Sequence, residues 1–269
     1  MHARRCRRLL CLGWSLLALP LWCRAQVALP ATVEVDLIFP RKDIYTPAPV
    51  MPIVFAFQNP RVAASLWPGI FVRITQLGTN HSIGETSEYI NGEIVFSYDD
   101  PFYWYWSTHL FNNTEGDWRL DWSLSTLNCS EDTTLDQPKG QFQTTSVFFT
   151  TKNGGKEPDL VADAATIENT CNETTGIAFN VTGILPQFPK LSLPWDGTGP
   201  PRNQCAVVPP TPPPAPQPCR VKFDVAAASS ITTNLTCREE HHCPSGAVQV
   251  RVDRAAWFIA ALPLVYFLL

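Results

Sequence analysis

Gly116-Asp117-Trp118-Arg119-Leu120-Asp121-Trp122-Ser123-Leu124-Ser125 puts a large apolar side chain at every second position. Successive side chains of a strand point to opposite faces, so Trp118, Leu120, Trp122 and Leu124 share one side and Arg119, Asp121, Ser123 and Ser125 the other. Such a strand faces a core on one side and water on the other. Upstream, Val33, Val35, Leu37 and Phe39 alternate with Glu34, Asp36 and Ile38, and Pro40 ends that strand. Pro52-Ile53-Val54-Phe55-Ala56-Phe57 is a continuous apolar run, the pattern of a strand buried on both sides. Ile70 to Thr75, Glu93 to Tyr98 and Val147 to Thr150 read as further short strands, the last followed by the turn signal Asn153-Gly154-Gly155.

No stretch competes as a helix by apolar spacing, and 25 prolines would break most helices. Short strands with frequent turn signals predict an all-β fold, an immunoglobulin-like antiparallel β-sandwich over residues 26–155. Trp118 to Trp122 with Cys129 soon after is reminiscent of a late strand of such a sandwich. The earlier cysteine it would pair with is absent from residues 26–128.

Residues 156–244 read as a second, cysteine-containing β region. Ile177, Phe179 and Val181 alternate with Ala178 and Asn180; Val221, Phe223 and Val225 with Lys222 and Asp224; Ile231, Thr233, Leu235 and Cys237 with Thr232, Asn234 and Thr236. Between Cys205 and Cys219 the loop 209–218 holds seven prolines in ten residues. An extended polyproline segment of that length spans on the order of 30 Å, which disfavours a Cys205–Cys219 bridge. It reads as an exposed spacer rather than a ligand for a polyproline-binding module.

The two ends carry addresses. Arg4, Arg5, Arg7 and Arg8 precede an apolar stretch from Leu9 to Trp22, and Ala25 suits the position before a cleavage that leaves Gln26 first. Residues 1–25 are therefore expected to be a signal peptide. Ala255 to Leu269 carries no charge and is shorter than the ~20 residues a spanning helix needs. With the small residues Ser245-Gly246-Ala247 and a polar spacer from Val248 to Arg254, segment 245–269 has the layout of a GPI-attachment signal, with Ser245 as the attachment site. The other readings of the tail are a short retained anchor or a C-terminal core strand.

Between these ends, 26–245 holds 13 basic and 23 acidic residues, a net of −10. An acidic surface disfavours nucleic acid and anionic lipid, because the phosphate interaction would be repulsive. Cys129, Cys171, Cys205, Cys219, Cys237 and Cys243 remain after Cys6, Cys11 and Cys23 leave with the signal. Six cysteines in an exported chain read as three disulfides, with connectivity open. Asn80, Asn112, Asn128, Asn172, Asn180 and Asn234 head N-glycosylation sequons, and Asn180 and Asn234 fall on the polar sides of their expected strands.

Candidate chemistry is sparse. Cys237-Arg238-Glu239-Glu240-His241-His242-Cys243 clusters metal-type ligands but matches no zinc spacing, and oxidised cysteines supply no thiolate, so disulfide cysteines beside exposed histidines are expected and no metal or cofactor. Gly-x-Ser-x-Gly and His-Glu-x-x-His are absent, and Asp196-Gly197-Thr198-Gly199 has aspartic-protease residues in the wrong order. No enzyme is indicated. For binding, Phe102-Tyr103-Trp104-Tyr105-Trp106 stands out. On a strand, Phe102, Trp104 and Trp106 would be core, leaving Tyr103 and Tyr105 to stack on a sugar or to fill the other side of the sandwich.

Val33 to Pro47, continuing through Pro52 to Pro60, resembles the start of a family of secreted filamentous-fungal proteins, domain of unknown function 7136. The resemblance extends through Trp118–Cys129 and the later cysteines. It implies a cell-surface setting and no activity or catalytic residue. The expectation is a GPI-anchored, N-glycosylated glycoprotein of the cell surface or wall with a structural or interaction role, on the outer leaflet or in the wall. Its expected partners are wall polysaccharide or surface proteins, and the membrane through the glycolipid. A carbohydrate-binding protein using Tyr103 and Tyr105, and then a polysaccharide-active enzyme, are the alternatives.

Overall fold

The computed structural model describes residues 28–78, 82–89, 100–129, 139–165, 175–185, 204–210 and 212–240. The strand expected at 93–98 lies outside them. Eleven strands are described: β1 (Ala31–Phe39), β2 (Ile44–Tyr45), β3 (Met51–Gln58), β4 (Gly69–Gln76), β5 (Ser82–Tyr89), β6 (Phe102–Thr108), β7 (Gly116–Asn128), β8 (Lys139–Thr151), β9 (Thr175–Val181), β10 (Gly183–Leu185) and β11 (Cys205–Val207). β6, β3, β1 and β9 form an antiparallel sheet in that order. β2, β8, β7, β4 and β5 form a second, antiparallel except for the short parallel pair β2–β8. β10 and β11 pair separately.

The alternation in β7 survives intact: Trp118, Leu120, Trp122 and Leu124 are buried, while Arg119, Asp121, Ser123 and Ser125 are half-buried on the outer face. Phe55 of the first sheet meets Trp122 of the second edge to face, ring centres 5.1 Å apart, so the inner faces share one core. The buried indoles are satisfied: Trp118 donates to Thr151 Oγ1 at 2.7 Å and Trp122 to Thr175 Oγ1 at 3.1 Å. Met51–Phe57 is buried on both faces, as its unbroken apolar run requires.

Gly154 makes the expected turn at φ 81°, in the left-handed region where glycine carries no steric cost. A Cβ on the next residue, Gly155, would collide with the backbone of Tyr45. Past that turn Lys156 bonds both Asp43 and Asp163, the latter at 2.9 Å, and so fastens the later chain to the β1–β2 corner.

The chain after residue 156 does not stand apart. β9 extends the first sheet by pairing with β1 over seven positions, from Ala31↔Val181 to Leu37↔Thr175. Cys129, closing β7, is bonded to Cys205, opening β11, with Cα atoms 5.9 Å apart. Beside it, Asn128 donates to Val208 O and accepts from Val208 N–H, both at 2.8 Å. Cys219 and Cys237 are disulfide-bonded as well. Cys171 and Cys243 lie outside the described residues.

The strands expected at 221–225 and 231–237 are overturned. Residues 221–224 are irregular, and Val225–Glu240 is a helix, so the second region is not all β. Two short helices, α1 (Pro60–Ala63) and α2 (Leu160–Ala164), precede this one, α3. Asp224 caps it by accepting the N–H of Ala227 at 2.8 Å. Ala227, Ala228, Ile231 and Leu235 make its buried stripe. Ile231 and Leu235 are two apart twice over and also one helical turn apart, so they fit both periods. The capping aspartate and three consecutive alanines decide for the helix.

The Cys129–Cys205 bridge closes a separation of 76 residues. Chain-entropy reasoning gives such a closure about 4 kcal/mol. The double substitution Cys129→Ser/Cys205→Ser is expected to lower Tm by about 10 °C, at ~2–4 °C per kcal/mol. Scanning calorimetry reads this, and an unchanged Tm would show that the chain after residue 204 is held by its other bonds alone.

Candidate functional site: a charged cleft beside the proline-rich strap

The outer face of the first sheet is where polar chemistry collects. Glu34 and Asp36 are two apart on β1 and point away from the shared core, yet they are 3% and 0% exposed. The cover is the strap 212–223. The Gln217 N–H donates to Glu34 Oε1, and Gln58 Nε2 donates to Asp36 Oδ2 at 2.9 Å. Gly176 faces Asp36 across the ladder, and a Cβ there would overlap both Asp36 Oδ1 and Pro216. The missing side chain makes the room that the carboxyl and the strap use.

Next to the pair opens a cleft of about 310 Å³, with Thr32, Glu34, Gln58 and Asp100 on one wall and Arg220 and Lys222 on the other. Asn59, at φ 53°, turns its Nδ2 onto Thr32 O, and its backbone N–H reaches Asp100. Burial raises the Asp100 carboxyl above the usual range, partly offset by that N–H. Asp36 is moved much further. Burial first, then the neighbouring Glu34 charge, push it up to about 8, against the bond from Gln58. At neutral pH it is therefore a neutral acid, which lowers the cost of keeping its carboxyl away from water. A neutral acid beside a carboxylate has the parts of an acid–base pair, but Asp36 has no exposed surface to offer a reactant. Here the pair works as a latch on the strap.

Tyr103 and Tyr105 lie on this same outer face of β6, opposite Ala56 and Val54, while Trp104 and Trp106 pack on Phe55. Tyr103 meets Phe223 edge to face at 5.4 Å and donates to Lys222 O. Arg238 of α3 sits over the Tyr105 ring at 5.8 Å. Ser107, near the end of β6, and His109 just past it both bond Glu239. The aromatic run thus seats the strap and α3, and both rings are half-buried against their own chain.

Of the sequons, Asn112 is exposed on a loop, Asn180 is half-buried at the edge strand β9, and Asn234 is half-buried on α3 rather than on a strand. Asn128 uses its amide to hold Val208, and its sequon contains the bridged Cys129. Asn80, Asn172 and Ser245 lie outside the described residues, as do His241, His242 and Cys243 of the metal-like cluster. Cys237 is on α3 and disulfide-bonded. Among the described residues no three His, Cys, Asp or Glu side chains gather to hold a metal ion. Sequence reasoning missed the Glu34–Asp36 site, for which two acids inside a strand of otherwise apolar residues were the available signal.

The fold and cleft define a mostly β protein of two antiparallel sheets, with a C-terminal strap and helix latched over one of them. The chain belongs to the family described as Domain of unknown function (DUF7136), whose model matches residues 28–245. No curated protein and no solved structure matches it.

The latch has a pH signature. Asp36 binds its proton more tightly folded than unfolded, so this contribution is complete below about 4, lost as pH rises, and gone above the folded value of about 8. Asp36→Asn, which keeps the acceptor for Gln58, is expected to remove that decline and raise Tm at pH 8 by a few degrees. Thermal melts between pH 5 and 9 check it; parallel curves for both proteins would refute the buried neutral acid. Separately, Tyr103→Ala/Tyr105→Ala is expected to lower Tm by several degrees and leave retention on chitin, β-glucan and mannan unchanged. Lost retention at unchanged Tm would return these rings to a sugar site.

Proposed function

We propose that this protein is an exported, N-glycosylated surface glycoprotein, attached through a glycolipid at Ser245, with a structural or interaction role rather than a catalytic one. The observation that carries the reading is the disulfide bonding of Cys129, Cys205, Cys219 and Cys237. Such bonds form and persist in oxidising compartments outside the cytosol. The family match adds to it: residues 28–245 begin two residues after Gln26 and end on Ser245, leaving both apolar ends outside the shared unit. The setting that suits this is the outer leaflet of the plasma membrane or the cell wall, with wall polysaccharide or neighbouring surface proteins as partners.

The finer fold assignment is an immunoglobulin-like sandwich. What supports it is strand order. Reading β1, β3, β4, β5, β6, β7 and β8 as A, B, C, C′, E, F and G, the sheets become A-B-E and C′-C-F-G. β2 is then the continuation of the first strand, crossing after Pro40 to pair with G. β9, the strap and α3 are additions on the A-B-E sheet. Sandwiches of this kind present loops and sheet faces for recognition on a rigid frame.

The decisive experiment is intact mass and release of the protein from the surface of the expressing cell. A chain starting at Gln26, ending at Ser245 with a glycolipid and released by phosphatidylinositol-specific phospholipase C is expected. A cell-associated chain that keeps residues 255–269 and resists the enzyme would overturn the anchor, and one without glycans or disulfides would overturn export.

A further inference from the structure

The edges of the two sheets border an open groove lined by both polar and apolar side chains. β2 covers β8 only at Thr150 and Thr151, so the earlier part of β8 is an edge strand, and β9 is the edge of the other sheet. Between them, lined also by Pro209, Pro210, Pro212 and Pro213, lies a groove of about 350 Å³. Phe142 stands in it with 69% of its surface exposed, its ring centre 6.4 Å from that of Phe71. Asn180 also lines it and is followed by Val181 and Thr182, so it heads a glycosylation sequon.

We propose that this groove is the seat of the glycan carried by Asn180, its innermost sugars lying between the Phe142 ring and the pyrrolidine rings of Pro212 and Pro213. The proposal rests on the glycosylated, exported reading above. A pyranose ring has an apolar C–H face and a rim of hydroxyls, and here the apolar surfaces come from Phe142 and the prolines while Gln141 and Gln143 supply amides. The glycan needs no separate recruitment, because the residue that carries it lines the groove, so tethering replaces the cost of association. An added peptide strand is a poorer occupant: four of the five residues from Pro209 to Pro213 are prolines and present no N–H for a ladder. The volume lies at the small end of ligand sites, ~300–1,000 Å³, which suits the core sugars and not a long chain. Seated there, the glycan shields an exposed aromatic and the two strands that are sheet edges among the described residues.

The test uses the full chain secreted from a eukaryotic host. Glycopeptide mass spectrometry first gives occupancy at each sequon, and the native protein is then digested with peptide N-glycosidase. The Asn180 glycan is expected to leave about tenfold more slowly than the one on exposed Asn112, a ratio that modest groove contacts supply. Phe142→Ala, at an exposed position that does not endanger folding, is expected to bring the two rates within about twofold. Asn180→Gln and Phe142→Ala should each lower Tm, and the double variant no further than either, since both remove the same contact. Equal release rates in the unaltered protein, or a slow Asn180 rate that Phe142→Ala leaves unchanged, would overturn the seat. A bare Asn180 beside other filled sequons overturns the seat and spares the surface-glycoprotein reading. No filled sequon at all overturns both.

Discussion

Met51–Phe57 allows neither of its faces to meet water, and much of the remaining architecture answers that demand. Burying one side of a strand is what a second sheet does, and Trp122 against Phe55 marks that contact. The other side needs its own cover. The chain after residue 204 provides it with the strap, Phe223 and α3, whose Ala227, Ala228, Ile231 and Leu235 join the same core. A sheet covered on both faces tolerates a near-continuous apolar strand, whereas a two-layer protein with an open outer face would not.

That cover has to cross a strand bearing two acids. Leaving Glu34 and Asp36 charged and buried would cost several kcal/mol each. Protonation of Asp36, a bond from Gln58 and the Gln217 N–H reduce the cost. The arrangement ties closure of the strap to a titrating group, and it needs glycine at 176 because any side chain there would occupy the carboxyl's place. The covalent tie at Cys129–Cys205 and the Lys156 bonds to Asp43 and Asp163 hold the same later segment from other directions.

Legibility followed the range of the interaction. β7 and β3 were readable because period-two alternation and an unbroken apolar run each have one geometric solution at that length. β9 was readable for the same reason, although not its partner. α3 was misread because Ile231, Thr233, Leu235 and Cys237 satisfy a strand period, while the competing signals, Asp224 as a cap and the alanines at 226–228, are local and quieter. The aromatic strand β6 was placed with the right residues on each face. What covers Tyr103 and Tyr105 comes from over a hundred residues downstream, and no pattern within the strand could report it.

The sequence by itself determined the mainly β character, the facing of Phe102–Trp106 and Trp118–Ser125, the turn at Gly154 and the family. Those depend on side-chain alternation, backbone freedom and residue identity, which act between near neighbours. Only the tertiary structure decided that Cys129 pairs with Cys205, that the later chain joins the first sheet through β9, and that Asp36 is a buried neutral acid under Pro216. It alone brought Phe142, Asn180 and the prolines to one groove. Each of these joins residues tens to hundreds of positions apart, and their proximity is a property of how the sheets pack and where the strap returns.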